Sequence, residues 1–518
     1  MNRYILFTLL TIIPLSLVSC DDWLSEKAPA STSLEDFFTE GNTAIQAVNA
    51  AYVPLMWEYN QTYYPEWFIG DVVSDDALKG GQSIGDMSVV FDMENFETEN
   101  NNVLLLDYYR AQYQGITRCN LAIQEIPDLE EDKVLTTSMK ARLLGEAKFL
   151  RAMYYLRLVR VFGGVPKVDF IVPNDGWKQP RATVAEIYEL IYADLHEAIE
   201  GLWKKDAYAT ADKGRATQGS AQALLMKAYL INAQYDSVKV IGKRLIESGK
   251  YSLCPNYEDN FTLTGENGPE SVFEIQYMND PTSDYGEGNG FTRGTFTPIM
   301  TRTRNSLAGG WGFNKPTQNL YSEYETGDPR REASIINPTD EQMQNPTEEI
   351  YLGSRYLNKK YALMNSDGTN MMLSHQSRGE INHKEIRYAD VLLMYAEACC
   401  ELNDLTEAKW ALEAVRFRAR NGNSELLPAF PYGSYTDNQS DLRNAIRHER
   451  RVELAMEGHR WFDLVRWGIA AEVMNAYRAQ ENELVKQYME EFIKGKHELF
   501  PIPAAEINLN PMEQNPGY

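Results

Sequence analysis

Histidine and cysteine are scarce in this chain, six and five in 518 residues, and so is positive charge. Fifty Lys+Arg stand against 74 Asp+Glu, a formal net charge of −24. That balance repels phosphate backbones and excludes nucleic-acid binding. It also argues against docking on an anionic membrane through a basic patch. The few histidines form no HExxH pattern: His448-Glu449 is followed by Arg450-Arg451-Val452, without a second histidine. There is no GxSxG elbow and no phosphate loop ending in Lys-Ser/Thr. No CxxC pair or zinc spacing occurs among the cysteines. Loop carboxylates and carbonyls leave room for a structural calcium ion, but no EF-hand-like spacing supports one, and no cofactor is expected. Beyond Cys20 no apolar run is long enough to cross a bilayer.

What is present is a folded composition, 43% hydrophobic and 24% charged. It carries 31 Tyr, 9 Trp and 19 Phe, more ring surface than a core needs, so some rings are expected to face a ligand. At the N-terminus, Asn2-Arg3 precedes an apolar run from Tyr4 to Val18, the pattern of a signal peptide over residues 1–19. The run ends in Leu17-Val18-Ser19-Cys20, which resembles a lipoprotein cleavage box. Cys20 is therefore the expected lipidation site and mature N-terminus, since two or three acyl chains anchor a protein stably. Asp21-Asp22 behind it resemble a surface-export signal. Cys119, Cys254, Cys399 and Cys400 read as buried small hydrophobes, with no disulfide supported.

The body reads as mainly α, with helical hairpins over about 30–56, 107–250 and 383–480. Ala147, Leu150, Tyr154, Leu158 and Val161 make an apolar stripe that Gly163-Gly164 and Pro166 end. Ala396, Ala398, Ala408, Ala411 and Ala414, and earlier Ala221, Ala223 and Ala228, let helices approach closely, as in tetratricopeptide repeats. Residues 57–106 and 251–382 are rich in Gly, Asn, Pro, Thr and aromatics, with a few short β-like runs. Long irregular segments on a rigid frame suit recognition more than chemistry.

A set of blocks in fixed order then resembles a known family. It runs from Cys20-Asp21-Asp22-Trp23-Leu24 through Ser74-Asp75-Asp76, Glu146 to Ala152, Phe162-Gly163-Gly164-Val165-Pro166 and Arg387 to Leu393. The most specific is Glu449-Arg450-Arg451-x-Glu453-Leu454-x-x-Glu457-Gly458-x-Arg460-Trp461-Phe462-Asp463, and the chain closes on Asn515-Pro516-Gly517-Tyr518. Together they resemble the SusD/RagB outer-membrane nutrient-binding lipoproteins over residues 20–518. The resemblance implies a tetratricopeptide-like α fold decorated by loops and no enzymatic activity. It implies a lipid-anchored outer-membrane location facing the cell surface, with a glycan as ligand. It further implies a SusC-like TonB-dependent β-barrel transporter as partner. Peptide capture is the alternative within the family, and the acidic run Glu323 to Asp328 would favour basic peptides. A glycoside hydrolase using a pair such as Asp75-Asp76 is the alternative outside it.

Charge in the Glu449–Trp467 block reads as packing. Glu449/Glu453, Arg450/Glu453 and Arg460/Asp463 have the spacing of helix-surface pairs. The ligand site has to come from rings in loops, because a planar aromatic covers the apolar face of a sugar while amides and guanidiniums bond its hydroxyls. Three segments fit: Trp57 through Trp67, Asn100 to Asn102, and Asp284 through Trp311, whose glycines Gly286, Gly288, Gly290 and Gly294 suit a flexible binding loop. Trp67, Tyr285 and Trp311 are the candidate stacking platforms, with Asn101 and Arg293 as hydrogen-bonding partners.

Overall fold

A computed structural model describes residues 37–58, 66–173, 176, 178–282, 292–304, 309–340, 349–365 and 371–518. Cys20 and Tyr285 lie outside them, as do Gly286, Gly288 and Gly290. Residues 40–518 form one compact body, and residues 1–39 count as a separate short unit. The frame of the body is a run of helices: α1 (Gly41–Tyr52), α2 (Val103–Glu125), α3 (Thr137–Phe162), α4 (Val184–Gly201), α5 (Gln218–Ile231) and α6 (Tyr235–Glu247). It resumes with α7 (Tyr388–Glu401), α8 (Leu405–Ala419), α9 (Gln439–Glu453) and α10 (Arg460–Arg466). From α2 to α6 each helix packs on the next, and α6 packs directly on α7. The loop-rich stretch between α6 and α7 is therefore extruded from a continuous stack of hairpins.

Local chemistry explains the punctuation. Thr136 caps α3 by accepting from the Met139 N–H, and the helix stops at Gly163, whose φ of +71° suits glycine. The predicted stripe of α3 is buried, but so is nearly every residue from Leu143 to Phe162. The reason is that α3 sits in the middle of the stack, covered by α1, α2 and α4. Thr217 and Ser220 form a capping box at the start of α5. Ala221, Ala223, Ala396, Ala398, Ala408 and Ala411 are all fully buried at the helix contacts. The four described cysteines are buried free thiols.

Strands are few and short: β1 (Ala77–Gly80) pairs with β3 (Phe313–Pro316), β2 (Ser271–Ile275) with β6 (His383–Arg387), and β4 (Ile335–Ile336) with β5 (Leu357–Asn358), all antiparallel. Each sheet has two strands and ties a distant piece of the irregular region to another piece or to the start of α7. Among the described residues no helix is long and apolar enough to cross a membrane.

The charged block around α9 does pack, though not as helix-surface pairs. Glu449 and Glu453 both accept from the fully buried Arg330, at 2.5 and 3.0 Å. Glu453 also pairs with Arg387 and Arg418, and Arg387 continues to Glu270 and Glu457. Arg460 does not pair with Asp463; it reaches Asp75 at 2.8 Å, while Arg450 and Arg466 take Asp463. Helical spacing reports only neighbours along one helix, and apart from the i,i+3 pair Asp463–Arg466 the partners here come from across the fold. The network welds the irregular region to the stack.

Candidate functional site

The geometry gathers two of the three candidate segments around one buried carboxylate. Glu58 is 5% exposed. It accepts from the Tyr277 hydroxyl at 2.9 Å, the Thr295 hydroxyl at 2.6 Å and the Phe296 N–H at 2.8 Å. Burial pushes its pKa up, and these donors oppose the shift. Thr297 then joins the same group: its hydroxyl lies 3.4 Å from Glu58 and accepts from the Trp67 indole N–H at 3.2 Å. The chain at 57–67 is thereby fastened to 277 and to 295–297.

Trp67 itself is a correction. Only 4% of it is exposed, and its ring lies against Phe68, 4.1 Å between centroids. A ring with no free face cannot stack on a sugar, so Trp67 anchors the loop. Its apolar neighbours Phe68, Ile69 and Val72 are buried with it and draw it inward.

Trp311 is half-buried, with one side packed toward Phe296 at 6.3 Å. Its N–H donates to the Ile299 carbonyl at 2.7 Å, and its carbonyl accepts from Arg304 at 3.1 Å. The flanking glycines are needed for this turn. A Cβ on Gly310 would sit 2.2 Å from the Arg302 carbonyl oxygen, and Gly312 has a φ of +71°. The turn holds the indole rigidly while leaving part of it in solvent.

Arg293 keeps its guanidinium half in solvent, 54% exposed, and donates to Asp280 at 2.9 Å. Asp280 also accepts from the Thr282 N–H, which holds its carboxyl below the usual range. Asn101 lies elsewhere in the fold. Its turn caps α2 through Asn102, which accepts from the Leu104 and Leu105 N–H groups, and Asn100 accepts from Ala504 near the C-terminus. Asn101 is exposed there, 3.4 Å from Glu99.

One contribution was not visible in the sequence. The chain at 371–379 returns to this face: Thr295 and Gly379 exchange backbone hydrogen bonds, Ser374 donates to Asn279 at 3.1 Å, and Arg378 donates to the Pro281 carbonyl. Met278 and Met372, 50% and 73% exposed, lie in these joined segments. Only the polar run Ser374-His375-Gln376-Ser377-Arg378 hinted at it. The face thus offers one indole, two flexible thioethers and a guanidinium on a fixed base, a mixture suited to holding a polar ring with an apolar face.

The acids singled out in the sequence for other chemistries are engaged in ion pairs. Asp75 and Asp76 are buried and bound by Arg451 and Arg460. Glu323 and Glu325 meet His448, Arg451 and Arg416, and Asp328 holds Arg330. Among the described residues no group of three His, Cys, Asp or Glu is placed to hold a metal ion.

Comparison with known proteins gives the same fold and a family. The family described as the SusD family matches residues 269–518, and that described as starch-binding associating with outer membrane matches residues 22–230. A SusD-like protein of Formosa agariphila is 27% identical, with 98% of each chain covered. Among solved structures, a laminarin-binding SusD-like protein is 28% identical with a TM-score of 0.78, covering 93% of this chain and 100% of its own. The surface glycan-binding protein A of Bacteroides thetaiotaomicron, in complex with laminarihexaose, is 25% identical with a TM-score of 0.77, covering 92% and 100%.

Proposed function

This chain belongs to the SusD family, and on that premise we propose that it is a cell-surface lipoprotein that binds a neutral glycan and delivers it, unaltered, to a TonB-dependent barrel transporter. The observation that carries the binding half is the Glu58-fastened face. The segments Glu58 joins, with those bonded to them in turn, carry the part-exposed Trp311, Met278, Met372 and Arg293, which we read as the binding face. Relatives whose descriptions name laminarin and laminarihexaose make a laminarin-type glucan the first ligand to try. Trp311 would stack on a sugar face and Arg293 would bond hydroxyls, with Tyr285 and Asn101 as further candidates. The acidic run at 323–328 is spent inside the ion network, which removes the argument for capturing basic peptides.

Titration calorimetry of residues 21–518 with laminarihexaose and with a basic hexapeptide tests the ligand class. Saturable heat with the sugar alone supports the reading, and saturable heat with the peptide alone overturns it. The anchor rests on Cys20. Metabolic labelling with palmitate should mark the wild type and leave Cys20→Ala unlabelled and released from membranes. Delivery predicts that a large outer-membrane barrel co-purifies with the lipidated chain.

A further inference from the structure

Away from the residues just discussed, a cavity of about 400 Å³ opens along the edge of β2 that faces away from β6. Lys205, Lys213, Arg215 and Lys250 line it, against Asp212 and Glu274. Four cations around one cavity are unexpected in a chain of net charge −24. Pairing removes two of them. Arg215 bonds Asp212 and Glu146, and Lys250 bonds Asp206. The acids are spent as well, since Glu274 is neutralised by Lys384 at 2.6 Å.

Lys205 and Lys213 remain. The Lys205 ammonium donates to the carbonyls of Gly268 and Ser271 at 2.7 and 2.8 Å, which uses two of its three N–H groups, and it lies 4.7 Å from the centre of the Tyr251 ring. Lys213 is exposed, and its ammonium makes no hydrogen bond or ion pair with the described residues. Burial lowers the Lys205 pKa to about 8; the Glu274 carboxylate opposes that shift, and the charges of Lys384 and Lys213 add to it. Two like charges therefore face one space, and the carboxylate that acts most on Lys205, Glu274, is already bound by Lys384. Pro269, Val272 and the ring of Tyr208 supply apolar lining to the same cavity. The volume lies within the usual range for small-molecule sites, about 300–1,000 Å³.

We infer that this cavity binds an acidic sugar residue, with its carboxylate between Lys205 and Lys213 and its ring against the Pro269–Val272 wall. The inference is independent of the Trp311 face, because the two share no residue. Calorimetry with sodium glucuronate, glucose and sodium sulfate tests it on residues 21–518 and on Lys213→Glu. Lys213 is exposed, so the variant should melt like the wild type. Glucuronate should bind and glucose should not. Lys213→Glu should weaken glucuronate at least tenfold and leave laminarihexaose binding as it was. Absence of glucuronate binding, or equal binding by Lys213→Glu, overturns the assignment. Sulfate binding as tightly as glucuronate overturns the sugar component, because the site would then be one for a bare oxyanion.

Discussion

Removing either of two tryptophans separates anchoring from recognition. Trp67 is 4% exposed and donates to Thr297, so Trp67→Ala leaves a large cavity beside Glu58 and costs about 3–5 kcal/mol. At about 2.1 cal/mol/K per residue, the body of residues 40–518 unfolds with an entropy near 1 kcal/mol/K, so the melting midpoint should fall by about 3–5 °C. Trp311 is half-buried, and its loss should lower the midpoint by roughly half as much. Binding should order the two variants the other way. Losing one stacking ring weakens glycan binding by about 1 kcal/mol or more, around fivefold in Kd. Scanning calorimetry and titration of both variants with laminarihexaose provide the comparison. The assignment of the rings is refuted if Trp67→Ala melts like the wild type, or if it loses more affinity than Trp311→Ala.

Other perturbations reach the frame. Glu58→Gln replaces one accepting oxygen by an amide donor, set against either the Tyr277 hydroxyl or the Thr295 and Phe296 donors, and should cost about 1–3 kcal/mol by denaturant unfolding while loosening the 277–297 loops. Glu453→Ala leaves Arg330, Arg387 and Arg418 without a shared carboxylate and should cost about 3–5 kcal/mol. Glu197, 64% exposed beside Lys148, should cost under about 1 kcal/mol when replaced by alanine, so equal losses at the two sites would discredit the network. Burial alone would lower the His448 pKa, but hydrogen bonds to Glu323 and Glu325 carry it to about 9. A raised folded-state pKa gives stability that is full below about 6.5 and is lost as pH rises through 9. The midpoint difference between wild type and His448→Gln should therefore shrink across that window, and a difference constant with pH would contradict it.

The helical frame was legible because its signals are local. Gly163 ends α3 where the apolar stripe stops, and paired alanines mark where α7 meets α8. The charge-dense block was legible as structure, but its partners were not. Arg460 finds Asp75, 385 residues away, and no spacing rule spans that distance. Ring exposure was likewise hidden. Trp67 and Trp311 both sit among aromatics and glycines in sequence, and only the packing of Phe68 and Ile69 separates the buried one from the half-open one. The return of residues 371–379 to the same face depends on the Thr295–Gly379 pairing, a contact that composition does not encode.

Calorimetric titration of a glucan panel into residues 21–518, with product sizing after each run, addresses binding without turnover most directly. A protein that holds a nutrient intact should give saturable heat with at least one oligosaccharide, recovered at its original length. Steady heat with shortened products, or no saturable heat with any member of the panel, would contradict that role.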